Sequence, residues 1–538
     1  MNDKADIIIV GAGSAGCVLA NRLSADPGLR VLLLEAGGRD WNPLLRVPLM
    51  TGLLLRGGIA NWGFRSEPEP NLDNRALNWP RGKVVGGSSS INGMVHVRGL
   101  PSDYDAWAQR GLAGWSFEDC LPAFRRMEAY EGGADEWRGG DGPLPVTRPP
   151  QANPLFEAFI EAGRAAGHRV TRDFNGPEPE GFGRYDFAIH RGQRWSAARA
   201  YLDPARPRPN LRVETGALLL RVLFEKRRAV GVEVLQRGRV VRLRAEREVI
   251  LAGGTIGSAV ALLQSGIGDA DALRALGIPV VADRPEVGRN LQDHLLVRIE
   301  HVCTQPITLH GLTRPDRAAL ALAQAMLFGT GPAASFPIAA GAYLTSDPAL
   351  DTPDLQSFLL PGLSSAALRL PFLPRATPRH DGHGFFANVY QMRPESRGTL
   401  ALRSADPRDP PLIRPNHLSA PRDMIVLRDG VKRIREVFAQ APMDPFRGPE
   451  LSPGAELRTN AEIEAFIRRT AESVYHCTGT CRMGADDASV VDARLRVRGV
   501  EALRVADASI MPAVPSTNTA APTMMVAERA AEFILAGE

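Results

Sequence analysis

The chain opens on Asp6-Ile7-Ile8-Ile9-Val10, an apolar run rich in β-branched side chains, and repeats the pattern at Val31-Leu32-Leu33-Leu34 before the acid Glu35. Runs without polar alternation predict strands covered on both faces, as in a parallel sheet. Between them Cys17-Val18-Leu19-Ala20-Asn21-Arg22-Leu23 predicts a helix, broken by Pro27-Gly28. From 211 to 245 the pattern alternates, as in Val230-Gly231-Val232-Glu233-Val234, and predicts antiparallel strands. Glu248-Val249-Ile250-Leu251 is continuous again, ends in Ala252-Gly253-Gly254 and leads into a short helix reaching Ser265. Residues 36–110 read as loop-rich. Beyond 301 the texture changes: Pro- and Arg-rich loops over 361–383, a strand over 385–392, and helices over 423–438 and 461–470. There is no internal repeat or long linker, so the pattern predicts one domain interrupted by another, with a return to the first near the end.

The turn between the first strand and its helix is Gly11-Ala12-Gly13-Ser14-Ala15-Gly16. Gly11 permits the tight turn, Gly13 lets the backbone approach a pyrophosphate, and Gly16 lets helix and strand pack closely. The helix N-terminus offers unpaired N–H groups and the positive end of its dipole to phosphates. Glu35, 24 residues beyond Gly11, stands where an acid accepts hydrogen bonds from ribose hydroxyls and disfavours a 2′-phosphate. Turn, strand, helix and acid together predict a dinucleotide site. FAD and NAD both fit at this point.

Charge and composition narrow the classes. The 538 residues carry 64 basic and 60 acidic side chains, a net +4 that is too thin a field to recruit nucleic acid. At 44% hydrophobic and 23% charged, the chain is globular rather than disordered. Five scattered cysteines (Cys17, Cys120, Cys303, Cys477, Cys481) make no disulfide framework and predict a reducing compartment. No apolar run reaches the ~18–20 residues that span a bilayer. The best, over 318–329, contains Gln324 and reads as core or as the wall of a substrate passage. The opening has only Lys4 as a basic flank and reads as a mature cytosolic N-terminus rather than a signal peptide.

Two further segments carry candidate chemistry. Residues 81–95 (RGKVVGGSSSINGMV) place small side chains where a backbone must lie against a flat ligand, and residues 475–484 (YHCTGTCRMG) set His476 in a Gly/Thr-rich turn. Further matches lie at 192–196 (GQRWS), 200–202 (AYL), 258–268 (SAVALLQSGIG), 287–294 (VGRNLQDH) and 393–398 (RPESRG). Others follow at 504–507 (RVAD), 522–525 (PTMM) and 528–531 (ERAA). Together these segments resemble the glucose–methanol–choline (GMC) family of FAD-dependent oxidoreductases, on its choline/alcohol dehydrogenase-like side.

The resemblance implies an α/β protein, α+β overall. A Rossmann-type FAD-binding domain (1–155, 191–300 and 471–538) is interleaved with a substrate-binding domain (156–190 and 301–470) built on an antiparallel sheet with flanking helices. The implied activity is oxidation of the CH–OH group of a small-molecule alcohol, with a quinone or dye, or O2, as electron acceptor. The implied setting is cytoplasmic, with peripheral contact at the inner membrane face as the variant of that placement. Cofactor contact is expected from Gly11, Gly13, Ser14, Ala15, Gly16, Glu35, Ala36, Trp62, Arg81, Gly86, Gly87, Ser88, Asn92, Gly93, Met94, Val95, Leu219, Ala252, Asp507, Ala508 and Thr519. In members with a covalent flavin the residue before the Asn92 position is histidine; Ile91 stands here, which implies non-covalent FAD.

His476 matches the family's catalytic histidine. A base with an ordinary pKa near ~6.5 can take a hydroxyl proton at neutral pH, while flavin N5 takes the hydride. The family's second His or Asn, counted back from Pro522-Thr523, falls on Ala520; Asn518, two residues earlier, matches another family asparagine and joins His476 in the expected catalytic set. Alanine cannot hydrogen-bond a substrate oxygen, which keeps a non-redox alternative open: a hydroxynitrile lyase or a light-driven fatty-acid decarboxylase. His96 departs from the aromatic that the family favours after Met94-Val95. His294, His301 and His417 read as structural. Cys477 and Cys481 lack zinc-knuckle spacing and read as packing residues, with no metal expected.

Overall fold

Two seven-stranded sheets organise the chain, for which the computed structural model describes residues 4–148, 152–366 and 380–538. The first sheet runs Leu211–Thr215, Val31–Glu35, Lys4–Val10, Arg239–Leu251, Arg228–Gln236, Ala217–Glu225, with Leu503–Val505 also paired to Arg239–Leu251. Its centre is parallel, Ile8 standing beside Leu32 on one side and Val249 on the other. Ile7, Ile8, Ile9 and the four residues from Val31 to Leu34 are all at most 2% exposed, as unbroken apolar strands require. Helix Ser14–Leu23 packs on this sheet and against the last helix, Ala520–Leu535. Arg22 and Arg126 converge on the buried Glu528 carboxylate, which also accepts from the Tyr201 hydroxyl, so first and last helices are stapled together. Both arginines are part-exposed, so removing one costs less than breaking a fully buried pair, but it leaves the buried carboxylate with one charged partner fewer.

The antiparallel pairing expected from 211 onward begins only at Ala217. Leu211–Thr215 runs parallel to Val31–Glu35. Asn210 fixes this: its carbonyl accepts from Val31 N and its amide donates to Ser24, Asp26 and Leu29 carbonyls, so both strands start at one end. The loop-rich stretch 36–110 also holds a helix, Pro101–Gln109.

The second sheet is antiparallel, in the order Arg447–Ser452, Leu295–Cys303, Gly384–Gln391, Leu355–Leu360, Ala340–Leu344, Gly181–Arg184, with Glu472–Ser473 also paired to Leu295–Cys303. The expected boundary at 300 therefore cuts a strand that lies wholly in this sheet, which already begins at Leu295. The boundary at 470/471 likewise assigns Glu472–Ser473 to the wrong sheet. Helices Pro421–Phe438 and Pro154–Ala165 cover one face; at Gly430 a Cβ would stand 3.0 Å from both Leu355 and Val389. By the two-residue alternation of strands, Leu296, Phe358, Asn388 and Tyr390 belong to the opposite face.

Helix Pro315–Phe328 corrects a further expectation. Only Ala321 and Ala325 are buried, against Val47, Ala333 and Ala334, while Leu320, Leu327 and Phe328 are 70, 73 and 74% exposed. Small residues four apart make the packing stripe and the large ones point outward, so this helix is neither core nor passage wall along that face. Of the loop expected over 361–383, residues 367–379 lie outside the described ones. Among the described residues no helix is long and apolar enough to cross a membrane.

Candidate active site

A cavity of about 940 Å³ runs from the first glycine turn to the face of the second sheet. At its nucleotide end the backbone does the shaping. Gly11 has φ +106°, and a Cβ there would lie 2.5 Å from the Ala252 carbonyl oxygen; at Gly16 it would lie 1.8 Å from the Gly11 carbonyl oxygen. Gly87 meets Gly13 backbone to backbone, a Cβ on Gly87 falling 2.6 Å from the Gly13 Cα, and Gly86 N–H donates to the Ala12 carbonyl. Glu35 accepts from Ala12 N–H at 3.0 Å and Gly37 N–H at 2.8 Å. Burial pushes its carboxyl up to about 7, against the pull of those two donors. The acid thus braces the turn with part of its acceptor capacity and faces the cavity with the remainder.

Behind the lining residues Thr51 and Asn92, Arg194 is buried with no carboxylate partner among the described residues. Its guanidinium donates to the Leu45 carbonyl, the Thr51 hydroxyl and both oxygens of Asn92, and burial lowers it to about 9. Asn92 Oδ1 also accepts from Met94 N–H, Met94 being held at φ +61°. Asp507 accepts from Gly254 N–H, Ser258 Oγ and Ser509 N–H, tying the C-terminal segment to the start of helix Gly254–Gln264. Ile91 packs with Leu45, Leu54 and Val84 and offers no nucleophilic atom.

Every expected cofactor residue lines this cavity except Gly16 and Gly86, which act one step back by letting their neighbours approach. His96 lies outside the lining, 3.1 Å from the buried Glu128. The sequence missed Gly253, Gly254 and Thr255 at a second helix N-terminus in the lining. The Gly253-Gly254 pair at a strand end was the available signal.

At the far end His476 lies among residues distant in the chain. Its backbone N–H donates to Asp293 Oδ1 at 2.7 Å, and the same carboxylate accepts from the Ser473 hydroxyl; burial pushes Asp293 up to about 6. His476 Nδ1 is 3.0 Å from His294 Nδ1, and His294 Nε2 is 3.0 Å from the Met392 carbonyl. A carbonyl can only accept, so His294 carries its proton on Nε2 and presents a lone pair on Nδ1. His476 then carries its proton on Nδ1 and turns the Nε2 lone pair toward Asn518, whose Nδ2 donates from 3.1 Å. Gln356 completes the direction of the chain by donating to Asn518 Oδ1 at 3.4 Å. Burial lowers His294 to about 4; burial, with His294 and the Arg81 guanidinium nearby, holds His476 well below 6.5. Both rings are neutral near pH 7, and Nε2 is a ready proton acceptor.

This geometry bears on two expectations. The polar partner of His476 is Asn518, while Ala520 sits at the first turn of the last helix with only a methyl group toward the cavity. His294, expected to be structural, has its ring in contact with His476. Its only sequence signal was its place in the VGRNLQDH segment. Cys477 and Cys481 are buried and form no disulfide, and among the described residues no group of three His, Cys, Asp or Glu is arranged to hold a metal.

The glycine cradle, the acid at its end and a lining of small residues at Gly87, Ser88, Ser89 and Gly93 fit an FAD. Comparison with known proteins agrees. A sequence model described as GMC oxidoreductase matches residues 5–296 and, in its C-terminal part, 394–527. The mitochondrial choline dehydrogenase of Mus musculus is 47% identical over 99% of this chain and 89% of its own length. The oxygen-dependent choline dehydrogenase of Brucella anthropi is 46% identical, over 99% and 96%. Among solved structures, pyridoxine 4-oxidase from Mesorbium loti superposes with a TM-score of 0.88 at 32% identity, covering 98% of both chains. A variant of the Aspergillus oryzae RIB40 formate oxidase gives 0.91 at 25% identity, covering 99% of this chain and 98% of its own.

Proposed function

Because the chain belongs to the GMC oxidoreductase family, as an FAD-dependent enzyme acting on alcohols, we propose that His476 is the base of its reaction and Asn518 the partner that holds the substrate oxygen. The carrying observation is the directed chain Gln356–Asn518–His476–His294–Met392, which leaves His476 Nε2 unprotonated at the cavity wall. An alcohol hydroxyl entering there takes the place of the Asn518 donor on Nε2. The freed amide N–H then donates to the substrate oxygen as the proton passes to Nε2. When bound, the flavin supplies the acceptor for the hydride that leaves the carbinol carbon, giving an aldehyde. Gly11, Gly13, Glu35, Gly87 and Asp507 would hold that cofactor without a covalent bond. The lyase and decarboxylase alternatives rested on Ala520, and with Asn518 against His476 that ground is gone.

The first sheet with its helices is the proposed cofactor domain and the second the substrate domain, with the division placed at Leu295. A quinone or dye is the proposed electron acceptor; rapid peroxide release in air with a good alcohol would reverse that choice. The five thiols, none of them in a disulfide, support a reducing compartment and hence the cytoplasmic placement. Anaerobic mixing with alcohols tests the mechanism: wild type should bleach the oxidised flavin band, and His476→Ala should do so ~10²–10⁴ times more slowly while keeping its FAD. An alanine variant as fast as wild type would remove His476 from the chemistry.

A further inference from the structure

Among the described residues the wall facing His476 is nearly free of charge, and its one guanidinium, Arg298, is compensated by an ion pair. Two strands of the second sheet set Leu296 beside Tyr390 and Arg298 beside Asn388, and a third sets Phe358 beside Asn388 and Leu360 beside Phe386. Leu296, Phe336, Ile338, Phe358, Leu360 and Phe386 line the cavity on this side. The ionised side chain on this wall is Arg298, which lies over the Phe386 ring at 5.7 Å and is ion-paired to Glu472 at 2.8 Å. Arg81 adds a second guanidinium beside His476. The carboxylates in the lining lie elsewhere: Glu35 at the glycine turn, Glu67 paired with Arg403, Asp409 hydrogen-bonded to Ser404, and Asp507 held by Gly254 and Ser258. Glu300, further along the strand of Leu296, is outside the lining and accepts from Ser364 N–H.

Resting on the alcohol-oxidation reading above, we infer that the enzyme takes uncharged primary alcohols with an apolar alkyl or aryl tail, and that Leu296 is a specificity-determining residue set against quaternary-ammonium alcohols. A cation drawn into this pocket would lose its hydration without meeting a carboxylate. Aromatic rings can hold an ammonium through their faces; the face of Phe386 is already turned to Arg298, and at Phe336 and Phe358 no carboxylate of the lining adds its charge to the ring. An apolar tail meets no such cost and gains from every part of its surface that the wall removes from water. The choline named in the relatives is then a poor match for this particular cavity, despite the overall similarity.

The decisive pair is choline and 3,3-dimethylbutan-1-ol, which share one shape and differ by the charge. Anaerobic reduction of the wild-type holoenzyme should give a kred/Kd for the neutral alcohol at least ~100-fold above that for choline, the order expected for an unpaired buried charge. It should rise further from butan-1-ol to octan-1-ol. Choline equal to or better than its isostere would overturn the inference while leaving alcohol oxidation intact. No bleaching by any alcohol would overturn the alcohol reading, and this inference with it. In Leu296→Glu, the choline-to-isostere ratio should rise at least tenfold; an unchanged ratio in a flavin-loaded variant would remove Leu296 from specificity. Should that variant not hold flavin, the wild-type pair decides alone.

Discussion

The two ends of the cavity are built by opposite means. The nucleotide end comes from a stretch running from Lys4 to Glu35, where strand, helix and strand are contiguous and the ligand-facing groups are mostly backbone. The catalytic end is made of side chains: Asp293 and His294 from the start of one strand, Gln356 from another, His476 from a turn and Asn518 from just before the last helix. Backbone sites tolerate any side chain that leaves room and fail on steric grounds. Side-chain sites depend on donors, acceptors and protonation, and fail chemically while the fold persists. Mutations at the two ends should therefore separate into loss of cofactor and loss of rate.

The largest effect belongs to the steric end. In Gly16→Val the new side chain would begin 1.8 Å from the Gly11 carbonyl oxygen, so helix and strand must part and the turn must open. No flavin should co-purify with this protein. A yellow, fully loaded Gly16→Val enzyme would show that the cradle does not depend on that close approach.

At the chemical end the next effect is that of His294. His294→Phe keeps a ring in place but removes the acceptor for His476 Nδ1–H, so the His476 proton can move to Nε2 and block the base. Flavin reduction should fall by ~10–100-fold, within the usual range for a positioned base losing its alignment, with little change in substrate Kd. His294→Gln, which restores an acceptor, should recover part of the loss. The pH profile adds a readout that mere packing would not move. His476 must be neutral to act, and its pKa is held below 6.5 by burial and by its two neighbours, so the acid limb of kred in wild type should lie below pH 6.5. Removing His294 should shift that limb upward. A wild-type limb at or above 6.5, or one unmoved in His294→Phe, would contradict this account.

The same contrast governs how much could be read from the sequence. The nucleotide end was legible because its pattern is local: glycines at 11, 13 and 16, an apolar run on either side and an acid at 35 are one continuous sentence of physics. The direction of Leu211–Thr215 was misread because alternation marks a half-covered edge strand without revealing its partner; Asn210 decides that through three distant carbonyls. Asn518 was placed in the catalytic set, but the family's second His or Asn position was counted to Ala520, because counting along a chain that turns into a helix does not say which side chain reaches the imidazole. His294 was passed over because 182 positions separate it from His476. The sheet boundary at Leu295 escaped for a similar reason, since the chain crosses from one sheet to the other without a linker.

The smallest expected effect lies back at the nucleotide end, at Glu35, which works there by its side chain. Glu35→Ala removes acceptors for the ribose hydroxyls and also the brace on Ala12 and Gly37 N–H; at ~0.5–1.5 kcal/mol for each net hydrogen bond, FAD should be held about tenfold more weakly. Full flavin occupancy after extensive dialysis would contradict this. The charge can be tested apart from the contacts with Glu35→Gln. The carboxyl is pushed up to about 7 from 4.5 by burial, so the folded protein binds that proton more tightly than the unfolded chain. Its stabilising contribution is complete below 4.5 and is lost as pH rises through about 7. Glutamine has no charge to bury. In protein stripped of flavin, the melting temperature of Glu35→Gln relative to wild type should therefore climb between pH 5 and pH 8, by the equivalent of about 1–3 kcal/mol. A difference constant across that window would mean that the acid is not desolvated at its post, and that the nucleotide end, too, is a purely steric device.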